Sequence, residues 1–376
     1  MSKKVNIISY VANLALTLGA LLGVVLTCNK IYESTMFNAV LKLLVGAIVA
    51  GLFITLAHEL GHLIAGKSNG FAFSSMTVWF FKFERIKKKT KFSLVMLGDE
   101  AGYTQMIPTT TENIAKRFKK MTMGGVWASF VMMIVGVVPF VLSFFLNDWI
   151  NVWVYSIWAM FFPIGAYFFF GSLFPASSGG MKNDGAIAYS IKKNTDSSKV
   201  MTNILSIQAE LYNGKTPKEI DENLYFDLPQ LPEDDFYFLT LLNARYYYYL
   251  DKEDYENLKK VSKRINSILE YFPKAYRFPL KTDLLYNACV IDKDFELADD
   301  LMYELDKYLN KSNTVTNVRA KMAYLLYVKG ETEMVDMFYK KGVKEANKHQ
   351  LKGLGALEKK LFDKMKADAT EKEQEE

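Results

Sequence analysis

The run Thr55-Leu56-Ala57-His58-Glu59-Leu60-Gly61-His62-Leu63-Ile64 places two histidines and a glutamate inside a stretch otherwise apolar enough to cross a membrane. The chain has 3 histidines, and two of them are here. In a helix of about 3.6 residues per turn an i, i+4 pair lies about 40° apart, so both imidazoles leave one face. That is the spacing of two zinc ligands, with Glu59 placed between them to act as general base. The motif alone turns up by chance in many soluble proteins. Ionisable groups inside an apolar span are expensive, however, and usually mark a functional site.

Composition divides the chain. Its 376 residues are 50% hydrophobic and 14% aromatic. Residues 1–195 carry the long apolar runs and read as a membrane-embedded domain. Residues 196–365 are charged, rich in Tyr and Leu, and read as a helical domain. Residues 366–376 read as a charged, disordered tail. The net charge of +5 reads as membrane topology, so no nucleic-acid partner is expected. Cys28 and Cys289 lack ligand spacing and are expected in different compartments, so no disulfide between them is expected. The usage, rich in Lys, Asn, Tyr and Phe, suggests a bacterium with an AT-rich genome.

Four apolar stretches, about 5–28, 37–66, 122–146 and 152–174, are long enough to span a hydrocarbon core of about 30 Å. The first follows Lys3 and Lys4, so a signal peptide competes with a retained helix. Its apolar part exceeds the usual about 7–15 residues, and no convincing cleavage site follows. The segment 67–121 holds 11 Lys and Arg residues, whereas 147–151 holds none. The former is therefore expected in the cytoplasm, with both chain termini, in a multi-pass cell-membrane protein. His58 then lies about 9 Å inside the lipid, reachable from the cytoplasmic side.

A catalytic zinc usually takes three protein ligands and leaves a fourth position open. His58 and His62 supply two, and His349 is remote. Asp184, after Pro175 and the pair Gly179-Gly180, is the candidate for the third. On spacing alone it reads equally well as the N-cap of a new helix.

With the His-Glu-Leu-Gly-His helix, a later Asp184-Gly185 after a broken span and this topology, the chain resembles the site-2 protease family of intramembrane zinc metalloproteases. Ala101-Gly102-Tyr103-Thr104-Gln105-Met106 resembles the family's Gly-Gly-Tyr-x-x-Met segment. Gly125-Val126-Trp127-Ala128-Ser129 stands where the family has Gly-Pro-x-x-Asn, without its Pro and Asn. Ser172 replaces an Asn three residues before Pro175. No PDZ-like insertion is present. The resemblance covers about 37–190 and implies one Zn2+ per chain held by His58, His62 and Asp184, with Glu59 as the catalytic base. It also implies a membrane-spanning protein or peptide as substrate.

The fold expected is an all-α polytopic membrane protein of about four transmembrane helices with a small β-hairpin insertion, plus a cytoplasmic helical, tetratricopeptide-like domain. Phe71–Phe83 and Lys91–Leu97 are β-prone, with a turn over Gly98–Gly102. A hairpin there either dips toward the site and takes an unwound substrate as an added strand, as the resemblance implies, or rests at the cytoplasmic interface. Three similar segments, beginning at Asn243, Asn287 and Met322, suggest paired helices able to bind a cytoplasmic protein. Tyr246-Tyr247-Tyr248-Tyr249 reads as helix packing. The function expected is intramembrane zinc endopeptidase. The alternative is a catalytically inactive membrane protein of the same fold that binds, sequesters or regulates a partner. A soluble peptidase conflicts with the four spans.

Overall fold

A computed structural model of the chain describes residues 3–31, 36–87, 89–96, 101–142, 145, 155, 158–178, 181–272 and 274–375. The protein is mostly helical and divides into two compact units. One comprises Met1–Arg85, Lys89–Ile107 and Glu112–Ser198; the other comprises Lys199–Glu376 with Ile86–Lys88 and Pro108–Thr111.

In the first unit, helices α1 (Lys3–Ile31), α2 (Met36–Ser68) and α3 (Ile114–Leu142) are each long and apolar enough to cross a membrane. Residues 152–154, 156 and 157 of the fourth expected stretch, and the connector 147–151, lie outside the described residues. What is described there is α4 (Phe161–Leu173), 13 residues, shorter than the about 20 a span needs. Helices α2 and α3 meet backbone to backbone at Gly61 and Gly124, where a Cβ on either would collide with the other's carbonyl oxygen. Small residues let membrane helices pack backbone to backbone, which substitutes for a hydrophobic driving force that lipid does not provide. Gly165 does the same for α4, lying against the backbone of Met133 in α3.

Between α2 and α3 the chain forms a four-stranded sheet in the order β3-β2-β1-β4, where the sequence suggested a hairpin. Its strands are β1 (Phe71–Val78), β2 (Phe81–Ile86), β3 (Lys89–Leu94) and β4 (Gly102–Pro108). Strands β1 and β2 are antiparallel, with Val78 opposite Phe81. The β-prone segment Phe71–Phe83 is thus divided at Trp79-Phe80. Trp79 takes φ +54°, costly for a bulky residue. Tertiary contacts hold it there: its N–H donates to the Ala101 carbonyl at 2.7 Å, and its ring packs over Gly51 of α2. The Gly98 end of the expected 98–102 turn lies outside the described residues. Arg117 of α3 donates to the carbonyls of Asn69 and Gly70 at 2.6 and 2.7 Å, fixing the exit of α2 into β1.

After α4 come β5 (Ser177–Ser178), β6 (Met181–Lys182) and α5 (Asp184–Lys192). The two short strands pair antiparallel.

The second unit begins with α6 (Asp196–Asn213), whose residues from Lys199 onward belong to it, and the single turn α7 (Asn223–Phe226). Then follow α8 (Phe236–Lys252), α9 (Tyr255–Ser267), α10 (Lys274–Asn287), α11 (Phe295–Lys311), α12 (Val315–Ala323), α13 (Val335–Ala346) and α14 (Lys352–Glu375). The turns between α8 and α9 and between α10 and α11 share one chemistry. A left-handed residue, Glu253 or Lys293, precedes an aspartate, Asp254 or Asp294, whose carboxylate caps the next helix. The cap satisfies amides that otherwise lack partners, and the left-handed residue ends the helix before.

At the core of this unit Arg319 is fully buried and donates to Asp283 at 2.5 Å and Glu358 at 2.7 Å. Tyr247 donates to Asp283, and Tyr246 to Asn287, so the tyrosine run serves packing and polar satisfaction. Residues 366–375, expected to be a disordered tail, continue α14. Met365 and Ala369 are buried, and Tyr327 donates to Asp368, so this face of the helix has apolar and polar partners that a tail would lack.

Candidate metal centre

The i, i+4 spacing in α2 sends His58 and His62 to one side, toward α3 and the start of α5. Their Nε2 atoms stand 3.1 Å apart. Asp184 Oδ2 lies 3.2 Å from His58 Nε2 and 3.5 Å from His62 Nε2. Donors about 2.0–2.2 Å from a tetrahedral zinc would stand about 3.3–3.6 Å from one another. The three atoms therefore surround a point that a zinc ion fits, and they form the group of potential ligands among the described residues.

Gly125 closes this pocket from α3. A Cβ there would overlap His62 Nε2 and lie 2.6 Å from His62 Cε1 and 2.9 Å from His58 Cε1. Only a residue without a side chain leaves the space between the rings open.

The rings are oriented from behind. His62 Nδ1 is 3.1 Å from the Met121 carbonyl, an acceptor, so Nδ1 carries the proton and Nε2 keeps its lone pair for a metal. His58 Nδ1 is 2.8 Å from the Ser129 hydroxyl, which is fully buried. Such outer partners set ring tautomer and direction and raise ligand basicity. Phe168 of α4 packs edge-on against His58, with ring centroids 6.2 Å apart.

Asp184 is the first residue of α5. The alternative reading of it as N-cap falls to its neighbour: Asn183 accepts from the Ala186 amide at 2.9 Å. The Asn183 side-chain amide also donates to the carbonyls of Gly171 and Phe174 at 2.6 and 2.7 Å, tying the α4 end to the α5 start. Gly185 brings the two ends together, since a Cβ there would collide with the Leu173 carbonyl.

Glu59 is buried beside the histidines. Thr104 of β4 donates its hydroxyl to Glu59 Oε2 at 2.5 Å, and Gly102 clears the way, a Cβ there lying 2.5 Å from Glu59 Oε1. Strand β4 thus reaches the carboxylate. The sequence sets Gly102 and Thr104 in a recognisable segment without a role for either, marks Ser129 only as a departure from a pattern, and does not single out Asn183. The available signal was a hydroxyl residue at each of two motif positions; no local rule says which side chain either would meet.

The family model described as peptidase family M50 matches residues 46–352. No curated protein and no solved structure matches the chain.

Proposed function

The chain belongs to peptidase family M50, the site-2 protease family of membrane metalloproteases, and on that premise we propose that it hydrolyses peptide bonds in or near membrane-spanning segments. The observation that carries the proposal is the convergence of His58 Nε2, His62 Nε2 and Asp184 Oδ2, with Glu59 buried alongside. A zinc ion bound by these three residues would supply Lewis acidity, acidifying water and polarising a carbonyl.

The remaining work falls to the chain. Glu59 accepts the proton of the attacking water and returns it to the leaving amine. The Thr104 hydroxyl holds the carboxylate through Oε2, leaving Oε1 for that proton. The Met121 carbonyl keeps the His62 lone pair on the metal side, and Ser129 holds the His58 ring from behind. A binding protein has no need of such a glutamate.

The substrate must unwind, because helical hydrogen bonds shield its peptide groups. Strand β4 is an edge of the sheet and touches Glu59, so an extended substrate adding to it would be delivered to the site. The basic 67–121 segment supports a multi-pass arrangement with cytoplasmic termini, one zinc per chain near the cytoplasmic side, and a lipid bilayer around the apolar helices. The three helix hairpins α8–α9, α10–α11 and α12–α13 support a tetratricopeptide-like surface for a cytoplasmic partner that recruits or regulates.

The test is zinc per chain and cleavage of a helical membrane substrate by the detergent-purified protein and by Glu59→Gln. Zinc near one per chain in both, with cleavage lost in the variant by about 10²–10⁴-fold, supports a zinc endopeptidase. Equal behaviour of the two leaves the non-catalytic binding role.

A further inference from the structure

Helix α1 precedes the residues the family model matches, and it carries a polar stripe. Asn6, Ser9 and Asn13 follow one another at three- and four-residue spacing and so share a face. Polar side chains in an apolar helix are expensive in lipid unless protein receives them. Here protein does: Ser9 and Asn13 are 8% and 7% exposed, whereas Ile7 and Ile8 are 63% and 59% exposed.

The partners of Asn6 and Ser9 lie on one segment. Asn6 Nδ2 donates to the Ser177 carbonyl at 3.1 Å, and Asn6 Oδ1 accepts from the Ser177 N–H at 2.9 Å. The same Nδ2 lies 3.1 Å from the Ser177 hydroxyl. Ser9 donates to the Pro175 carbonyl at 2.8 Å. Pro175 and Ser177 begin the β5–β6 hairpin that ends at Asp184. Its two ends are closed on each other, the Asn183 N–H donating to the Ala176 carbonyl at 3.0 Å and Asn183 Oδ1 accepting from the Ala176 N–H at 2.9 Å. The carboxylate that completes the metal group therefore stands at the start of α5, directly after a segment held from α1 on one side and by Asn183 on the other.

We propose that Asn6 and Ser9 are positioning residues for the third metal ligand: α1 latches the Pro175–Lys182 hairpin and so keeps Asp184 Oδ2 within reach of the two imidazoles. The latch rests on the metal reading of this site. A chain from which α1 is missing would keep both histidines and lose the fixed geometry of the aspartate.

The full-length protein in detergent is titrated with Zn2+ against a competing chelator. Asn6→Leu/Ser9→Ala, which suits a membrane helix, is expected to weaken zinc binding about tenfold or more, as loss of outer-sphere support does, with helical content unchanged. Ser9→Thr, which keeps the hydroxyl, is expected to bind zinc as the wild type does. Wild-type affinity in the double variant overturns the latch. In native membranes, oxidation of Asn6→Cys/Ser177→Cys is expected to link the two positions within one chain, read as a joined peptide pair; no link overturns the latch whatever the zinc result. A wild-type chain that takes up no zinc defeats the metal reading instead, and the linking experiment still judges the contact.

Discussion

Thr104 donates its hydroxyl to Glu59 Oε2 at 2.5 Å, across 45 positions of sequence. It is also 3.3 Å from the Glu59 carbonyl oxygen, so one side chain joins strand β4 to both the backbone and the carboxylate of α2. A hydrogen bond to a charged group contributes about 1.5–3 kcal/mol. Thr104→Val keeps the shape and removes the donor. It is expected to lower kcat/KM about ten- to a hundredfold with zinc per chain unchanged; activity equal to wild type would remove Thr104 from the mechanism.

Ser129 stands behind His58 as the Met121 carbonyl stands behind His62. Loss of such a partner weakens metal binding about 10–100-fold. Ser129→Ala is expected to show that loss in a chelator competition while leaving helical content intact, and Ser129→Thr to restore affinity. An alanine variant that binds zinc as tightly as wild type would show that packing alone orients the ring.

Gly125 leaves room for the metal. A methyl group in Gly125→Ala would intrude on both imidazoles, in a helix whose backbone lies against α2 at the neighbouring Gly124. Zinc uptake is expected to be lost, with protease activity, while membrane insertion persists. Zinc retained at wild-type stoichiometry would place the ion elsewhere.

The helical unit is expected to lose stability as pH rises. Burial pushes the Glu358 carboxyl from its ordinary 4.5 up to about 7, the Asp283 charge adding to the shift and Arg319 opposing it. Glu358 Oε2 has no hydrogen-bond partner among the described residues and is the atom a proton would occupy. Between about 4.5 and about 7 the folded unit holds a proton that the unfolded chain has released. This stabilisation is complete below the lower value and disappears as pH passes the upper one. Thermal unfolding followed by the tyrosine near-ultraviolet signal should shift to lower temperature across that window. Glu358→Gln should flatten the shift; an unchanged slope would assign it to other groups.

Local rules carried much of this protein. The 3.6-residue period put His58 and His62 on one face, and apolar runs marked α1, α2 and α3. The Asp254 and Asp294 caps fall within the similar segments that begin at Asn243 and Asn287. These features depend on residues within a few positions of each other, which is the range over which composition and spacing act. Other features needed the packed chain. The residue before Asp184, not Asp184 itself, took the cap. A tryptophan and a phenylalanine made a turn that their own preferences oppose, and residues thought to form a tail joined a helix. Ser129, Thr104 and Asn6 acquired partners 71, 45 and 171 positions away. A side chain's type fixes what it can bond; which group it meets across such separations is settled by helix crossings, and those depend on how closely backbones such as Gly61 and Gly124 can approach.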